Sequence, residues 1–140
     1  MKKIFYTISL LALIILMPNC SRDDDGPSTP SGTNNLYGTW NLDYYINNSQ
    51  LVEEIVCNEQ VTYVFSSNGS YSKTTFAGEG STNCDVAVIL KGKWENLGDN
   101  IFQLTPNGST GNENLDITFQ DNFTKFTITY GNGLVEVFSK

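Results

Sequence analysis

From Leu36 onward, apolar and polar residues alternate with the period of a β-strand. In the stretch Leu36-Tyr37-Gly38-Thr39-Trp40-Asn41-Leu42-Asp43-Tyr44-Tyr45-Ile46, the residues Trp40, Leu42, Tyr44 and Ile46 fall on one face and Asn41, Asp43 and Tyr45 on the other. That is the signature of a strand with one face on a core. Seven further runs follow. They cover 60–66 (Val61, Tyr63 and Phe65 on one face), 70–76, and 86–95 (Val88, Leu90 and Trp94 against Lys91, Lys93 and Glu95). The remaining runs carry Phe102 and Leu104; Leu115, Ile117 and Phe119; Phe126, Ile128 and Tyr130; and residues 134–139. The last run is ambiguous, because Val135/Val137 and Leu134/Phe138 fall on opposite faces. Glu136 is expected to point outward, since an unpaired carboxylate inside a core is costly.

Asn68-Gly69, Asp99-Asn100, Asp121-Asn122 and Gly131-Asn132-Gly133 are turn signals, while 47–59, 77–85 and 105–113 are longer polar or Gly-rich connections. Eight short strands in sequence order predict an all-β, eight-stranded antiparallel up-and-down barrel, a closure that leaves no edges. Alternate connections of such a barrel lie at the same end. Tight turns therefore gather at a closed floor and long loops at an open mouth, and Trp40 and Trp94 both fall at the floor, as its plug. Tyr44, Tyr63, Tyr71, Phe102, Phe126 and Tyr130 are the candidate lining for a small ligand. They are equally suited to fill the space, because an eight-stranded barrel has room for side chains or one small guest.

The first 35 residues read differently. Met1-Lys2-Lys3 and the apolar run Ile4 to Met17 have the form of a signal peptide, too short to span a bilayer. The run ends Met17-Pro18-Asn19-Cys20 and is followed by Ser21-Arg22-Asp23-Asp24-Asp25, which resembles a bacterial lipoprotein signal. The resemblance implies that residues 1–19 are removed, that Cys20 is acylated, and that the membrane is a partner through it. Residues 20–35 contain Asp, Ser, Pro, Gly and Thr without a packable apolar stretch, so they form a tether, leaving 36–140 as the domain. Cys57 and Cys84 are then the remaining even pair of an exported chain and are expected to form a disulfide. A metal or redox role lacks a Cys-x-x-Cys spacing or a third ligand.

Several features together resemble the lipocalin-like domain of small Bacteroidetes lipoproteins. These are Leu36-Tyr37-Gly38-Thr39-Trp40, Cys57 before the second run, Asn68-Gly69-Ser70-Tyr71, Cys84, and Gly92-Lys93-Trp94-Glu95. The resemblance implies a lipocalin-like barrel on a lipid-anchored tether, in the outer membrane and facing outward. The chain has no arginine near its end to sit over Trp40, as true lipocalins do.

Charge and composition narrow the function further. The formal charge of -7 becomes -9 once Lys2 and Lys3 leave with the leader, which disfavours nucleic acid as a partner. The chain has no histidine, the commonest general base and metal ligand. No nucleophile motif, metal constellation or phosphate loop is present, so neither enzyme activity nor a metal or cofactor is expected. Acid–base work would need two carboxylates such as Asp43, Glu95 and Glu136 to approach one another. Two expectations remain. One is a carrier of a small apolar ligand, favoured by a cavity of at least ~300 Å³ at the Cys57/Cys84 end. The other is a surface module with a packed core that binds a protein or glycan through its mouth, where Glu53, Glu54, Glu79, Asn83, Asp85 and Glu113 lie; an apolar patch there favours it.

Overall fold

A computed structural model describes residues 33–140. The expected signal peptide, Cys20 and most of the expected tether lie outside the described residues.

A short helical turn, Thr33–Leu36, leads into nine strands. They are β1 (Gly38–Asn47), β2 (Gln50–Val52), β3 (Val61–Phe65), β4 (Ser70–Ala77), β5 (Asp85–Gly98), β6 (Ile101–Pro106), β7 (Glu113–Gln120), β8 (Lys125–Thr129) and β9 (Leu134–Ser139). Strands β1 and β3 to β9 pair in sequence order, all antiparallel, and β9 returns to pair with β1. The result is a closed eight-stranded up-and-down barrel. Strand β2 is an addition, hairpinned onto β1 through Asn48 and Ser49, both with positive φ. Two left-handed residues suit a two-residue hairpin loop; without a glycine there, the polar stretch 47–59 reads as plain connection.

Register fixes which side chains face inward, because directly paired residues share a face. Trp40 pairs with Tyr63, Tyr63 with Lys73 and Lys73 with Leu90. Leu42 pairs with Phe138, and Phe138 with Phe126. The core is aromatic from the floor to mid-height: Trp40, Tyr63, Phe126 and Phe138 are 0% exposed and Phe65 and Phe102 2%. Trp40 lies 4.6 Å from Phe126, Phe126 5.0 Å from Phe138, and Tyr63 5.6 Å from Phe65, centroid to centroid. Gly92 is required by this packing, since a Cβ there would lie 2.7 Å from the Tyr71 ring and 2.8 Å from the Pro106 backbone.

Four facing assignments from the sequence are corrected. A bulge between Leu42 and Tyr44 in the β1–β9 ladder reverses the alternation. Beyond it Tyr44 and Ile46 face outward and Tyr45 inward. Tyr44 lies beneath Lys125, whose Nζ is 5.8 Å from the ring and 3.0 Å from Asp43 Oδ2 on the outer surface. Glu136, expected outward, faces inward. Phe138 packs into the core, so the residue two positions earlier shares its side, paired with Ile128.

The three tight turns at 66–69, 98–100 and 121–124 gather at one end with both indoles. Trp40 Nε1 donates to the Leu36 carbonyl at 2.7 Å, and Trp94 Nε1 to the Ser66 carbonyl at 3.2 Å. Lys140 Nζ lies 4.3 Å from the Trp40 ring centroid and donates to the Asn35 carbonyl at 3.1 Å. This lysine occupies the place over the indole for which the sequence offers no arginine, and a cation on that face is favourable.

Candidate binding surface at the open end

The other end holds the long connections, tied by the Cys57–Cys84 disulfide (Cα–Cα 5.2 Å). Cys57 opens a 3-10 turn, Cys57–Glu59, and its amide donates to the Gly80 carbonyl at 2.7 Å, which lays the β2–β3 connection on the β4–β5 loop.

Beneath these loops the inner face changes character. Lys73 lies beside Tyr63 on adjacent strands, Glu113 beside Leu104, and Glu136 beside Ile128. Tyr130 Oη donates to Glu136 Oε2 at 2.9 Å, and Lys73 Nζ sits 5.2 Å from the Tyr63 ring centroid. Tyr63 Oη is buried with no hydrogen-bond partner among the described residues. An unmade bond of this kind costs on the order of 1–3 kcal/mol. The result is a collar of two carboxylates, one ammonium and two phenols above the aromatic plug.

Burial dominates the electrostatics of this collar. It raises the Glu136 carboxyl above its ordinary range, with the Tyr130 hydrogen bond and Lys73 opposing and Glu113 adding. The Tyr63 phenol is driven far up by burial, reinforced by Glu113, and Tyr130 by burial and by Glu136. Tyr71 is raised by burial and Glu113. The phenols therefore act as neutral donors, and Glu136 holds a proton more readily than an exposed glutamate. The three carboxylates singled out from the sequence are not assembled: Asp43 is paired with Lys125 outside, Glu95 is exposed, and Glu136 alone lies within. Among the described residues no group of three or more Cys, Asp or Glu side chains is placed to hold a metal ion.

The candidate lining residues separate into three groups. Phe102 and Phe126 belong to the plug, along with the Tyr63 ring and Tyr71 (5% exposed). Tyr130 reaches the collar, and Tyr44 is outside. An open groove of about 570 Å³ does exist at this end, where the β1–β3 ladder stops at Asn41–Thr62 and β2 takes over at Tyr45–Val52. It runs along the barrel wall, and polar Asn41, Asp43, Glu53, Gln60, Thr62 and Ser139 line it beside Leu42, Ile55, Val61 and Phe76.

The most exposed apolar surface is on β5. This strand pairs with β4 from Asp85 to Lys93, but its ladder to β6 begins only at Gly92. Residues 85–91 thus have one edge without a strand partner among the described residues. Val86, Val88, Ile89 and Leu90 are 56%, 50%, 52% and 45% exposed. Register puts Val88 and Leu90 on the inner face and Ile89 and Val86 on the outer, so the segment is apolar on both sides of an open edge. The sequence signal was the unbroken run Val86-Ala87-Val88-Ile89-Leu90, which alternation of Val88, Leu90 and Trp94 alone concealed. Only the register brings Lys73 and Glu113 beside Tyr63 and Leu104, so the sequence alone does not mark them as partners of the collar. Glu53, Glu54, Glu79, Asn83 and Asp85 are exposed around the loops, as is Glu113.

These features define a small closed antiparallel β-barrel with a plugged floor and an open, disulfide-tied end. Comparison with family models, with curated proteins and with solved structures returns no match.

Proposed function

We propose that the protein is an envelope lipoprotein, acylated at Cys20, whose lipocalin-like barrel is a binding module that engages a protein partner at its open end. The observation that carries this reading is a contrast within one molecule: the interior is packed with aromatic side chains at 0–8% exposure, while the aliphatic segment 86–90 stands half-exposed on an open strand edge. An eight-stranded barrel filled in this way has no room for an apolar guest. Exposed aliphatic residues on a free edge offer a partner main-chain hydrogen bonds together with apolar burial, the means by which one sheet recruits another strand. A protein fits that chemistry better than a glycan does. In this reading the tether enters beside the floor, so the open end faces away from the membrane.

The carrier reading rests on the groove along the barrel wall. Its lining is largely polar and open to solvent, which suits an apolar ligand poorly. No catalytic role is assigned, and neither metal nor cofactor is invoked.

The test uses the full chain in a Gram-negative envelope, with a photo-reactive residue placed at Val88 or, as a comparison, at Leu97 near the floor. Protein adducts at position 88 and few at 97 are expected. Equal labelling at both positions would overturn the proposal. So would native mass spectrometry of the purified protein showing a stoichiometric apolar small molecule, which would restore the carrier reading.

A further inference from the structure

The partner that the β5 edge fits is, we infer, a second copy of the same edge, paired antiparallel about a two-fold axis at Ile89. This deepens the proposed function and rests on its reading of segment 86–90 as the contact surface. The backbone gives the register. Lys91 directs its carbonyl away from β4, where it accepts from the Asn107 amide at 2.8 Å. Alternate residues of an antiparallel strand present their amide and carbonyl to the same side. Two residues earlier, Ile89 therefore presents both groups to the open edge. Two such residues facing one another exchange both hydrogen bonds, which is the symmetric pair that a two-fold axis requires.

Centring on Ile89 also matches the side chains. Leu90 lies opposite the second copy's Val88, both on the inner face, and Ile89 opposite Ile89 on the outer face. The segment carries Asp85 at one end and Lys91 at the other, both exposed. Antiparallel pairing brings the acidic end of each copy to the basic end of the other, whereas parallel pairing would set like charges side by side. The extra residue at Ala87, where Val88 pairs with Thr75 but Val86 with Phe76, bends the strand beyond the pairing stretch and keeps the contact short. A two-fold contact consumes the same edge on both copies, so assembly stops at two instead of growing into a fibre.

Cross-linking and sedimentation of the full chain test this. Ile89→Cys treated with a short bifunctional thiol reagent is expected to give a covalent dimer, while Thr118→Cys, exposed on the outer face of β7, and the parent chain do not. Equal dimer yield at 89 and 118, or none at 89, overturns the two-fold pairing. Ile89→Lys sets two ammonium groups at the axis and is expected to weaken self-association at least ~100-fold while leaving the circular dichroism of the folded barrel unchanged. An Ile89→Lys chain that sediments as the parent does, or a parent that is monomeric throughout, also overturns it. Adducts at Val88 to a different protein alone would sink the self-pairing yet keep the open end as a contact surface; no protein adduct at all would sink both.

Discussion

The two ends of the barrel are built on opposite terms. At the floor both indoles are matched: Trp40 is enclosed by Phe126 and Lys140 and donates to Leu36, and Trp94 meets Phe65 and Tyr37 edge-on and donates to Ser66. At the open end a phenol lacks its hydrogen bond, a carboxylate is half-buried, and a strand shows both apolar faces to solvent. Polar mismatch and unpaired edges are tolerated in native proteins where function or assembly uses them. The comparison teaches that stability is concentrated at the floor, and that the open end relies on a covalent tie to hold its loops.

The largest expected effect breaks the floor. Trp40→Ala removes a fully buried indole and should cost about 3–5 kcal/mol, read as a lower denaturant midpoint. A loss below about 1 kcal/mol would show that the plug is not where stability resides. Next comes removal of the disulfide by the Cys57→Ser, Cys84→Ser double variant. The bridge closes a separation of 27 residues, and its loss should cost about 3.5 kcal/mol on the chain-entropy account. Hydrogen exchange should then quicken first in 53–60 and 77–85 while the amides of β7 and β8 remain protected. Uniform acceleration would mean that both ends form one cooperative unit.

How much of this was legible in the sequence follows the same division. Floor and core were readable because strict alternation of large apolar residues, as in Val61-Thr62-Tyr63-Val64-Phe65, and turn pairs such as Asp99-Asn100 are local signals. Those signals predict all eight barrel strands and their order, and the even pair of cysteines left in the domain predicts Cys57–Cys84. The detail of the open end is less legible. A bulge costs one residue of register and carries no compositional mark, so alternation alone puts Tyr44 and Ile46 inside and Tyr45 outside. Strand β2 hides in a polar stretch because Asn48 and Ser49 form its turn without glycine. Glu136 looked like a surface residue until Phe138 fixed the phase of β9. The free edge of β5 depends on β6 being shorter than β5, a fact about two strands that neither one contains.

A smaller effect sharpens the comparison at the collar. Tyr63→Phe deletes the buried hydroxyl that lacks a partner and keeps the ring stacked on Phe65 and under Lys73. Relieving an unmade hydrogen bond should stabilise the barrel by about 1 kcal/mol. If the variant were instead destabilised, the hydroxyl would be hydrogen-bonded in solution, and the collar would be as well satisfied as the floor.

The smallest effect is one of pH. Burial raises the Glu136 carboxyl from its ordinary 4.5, so the folded state holds this proton more tightly than the unfolded chain does. Between 4.5 and the raised value the native protein binds more protons than the unfolded one, and stability falls as pH increases. The contribution is intact below 4.5 and fully lost above the raised value. Glu136→Gln abolishes this slope and keeps an amide oxygen to accept from Tyr130. Because the side chain is only partly buried, solvent screens the charge and the gain at neutral pH should not exceed about 1 kcal/mol. Paired melting curves of parent and variant should coincide near pH 4 and diverge, variant higher, towards pH 7. A constant offset across that range would assign the difference to packing and remove Glu136 from the list of mismatched groups at the open end.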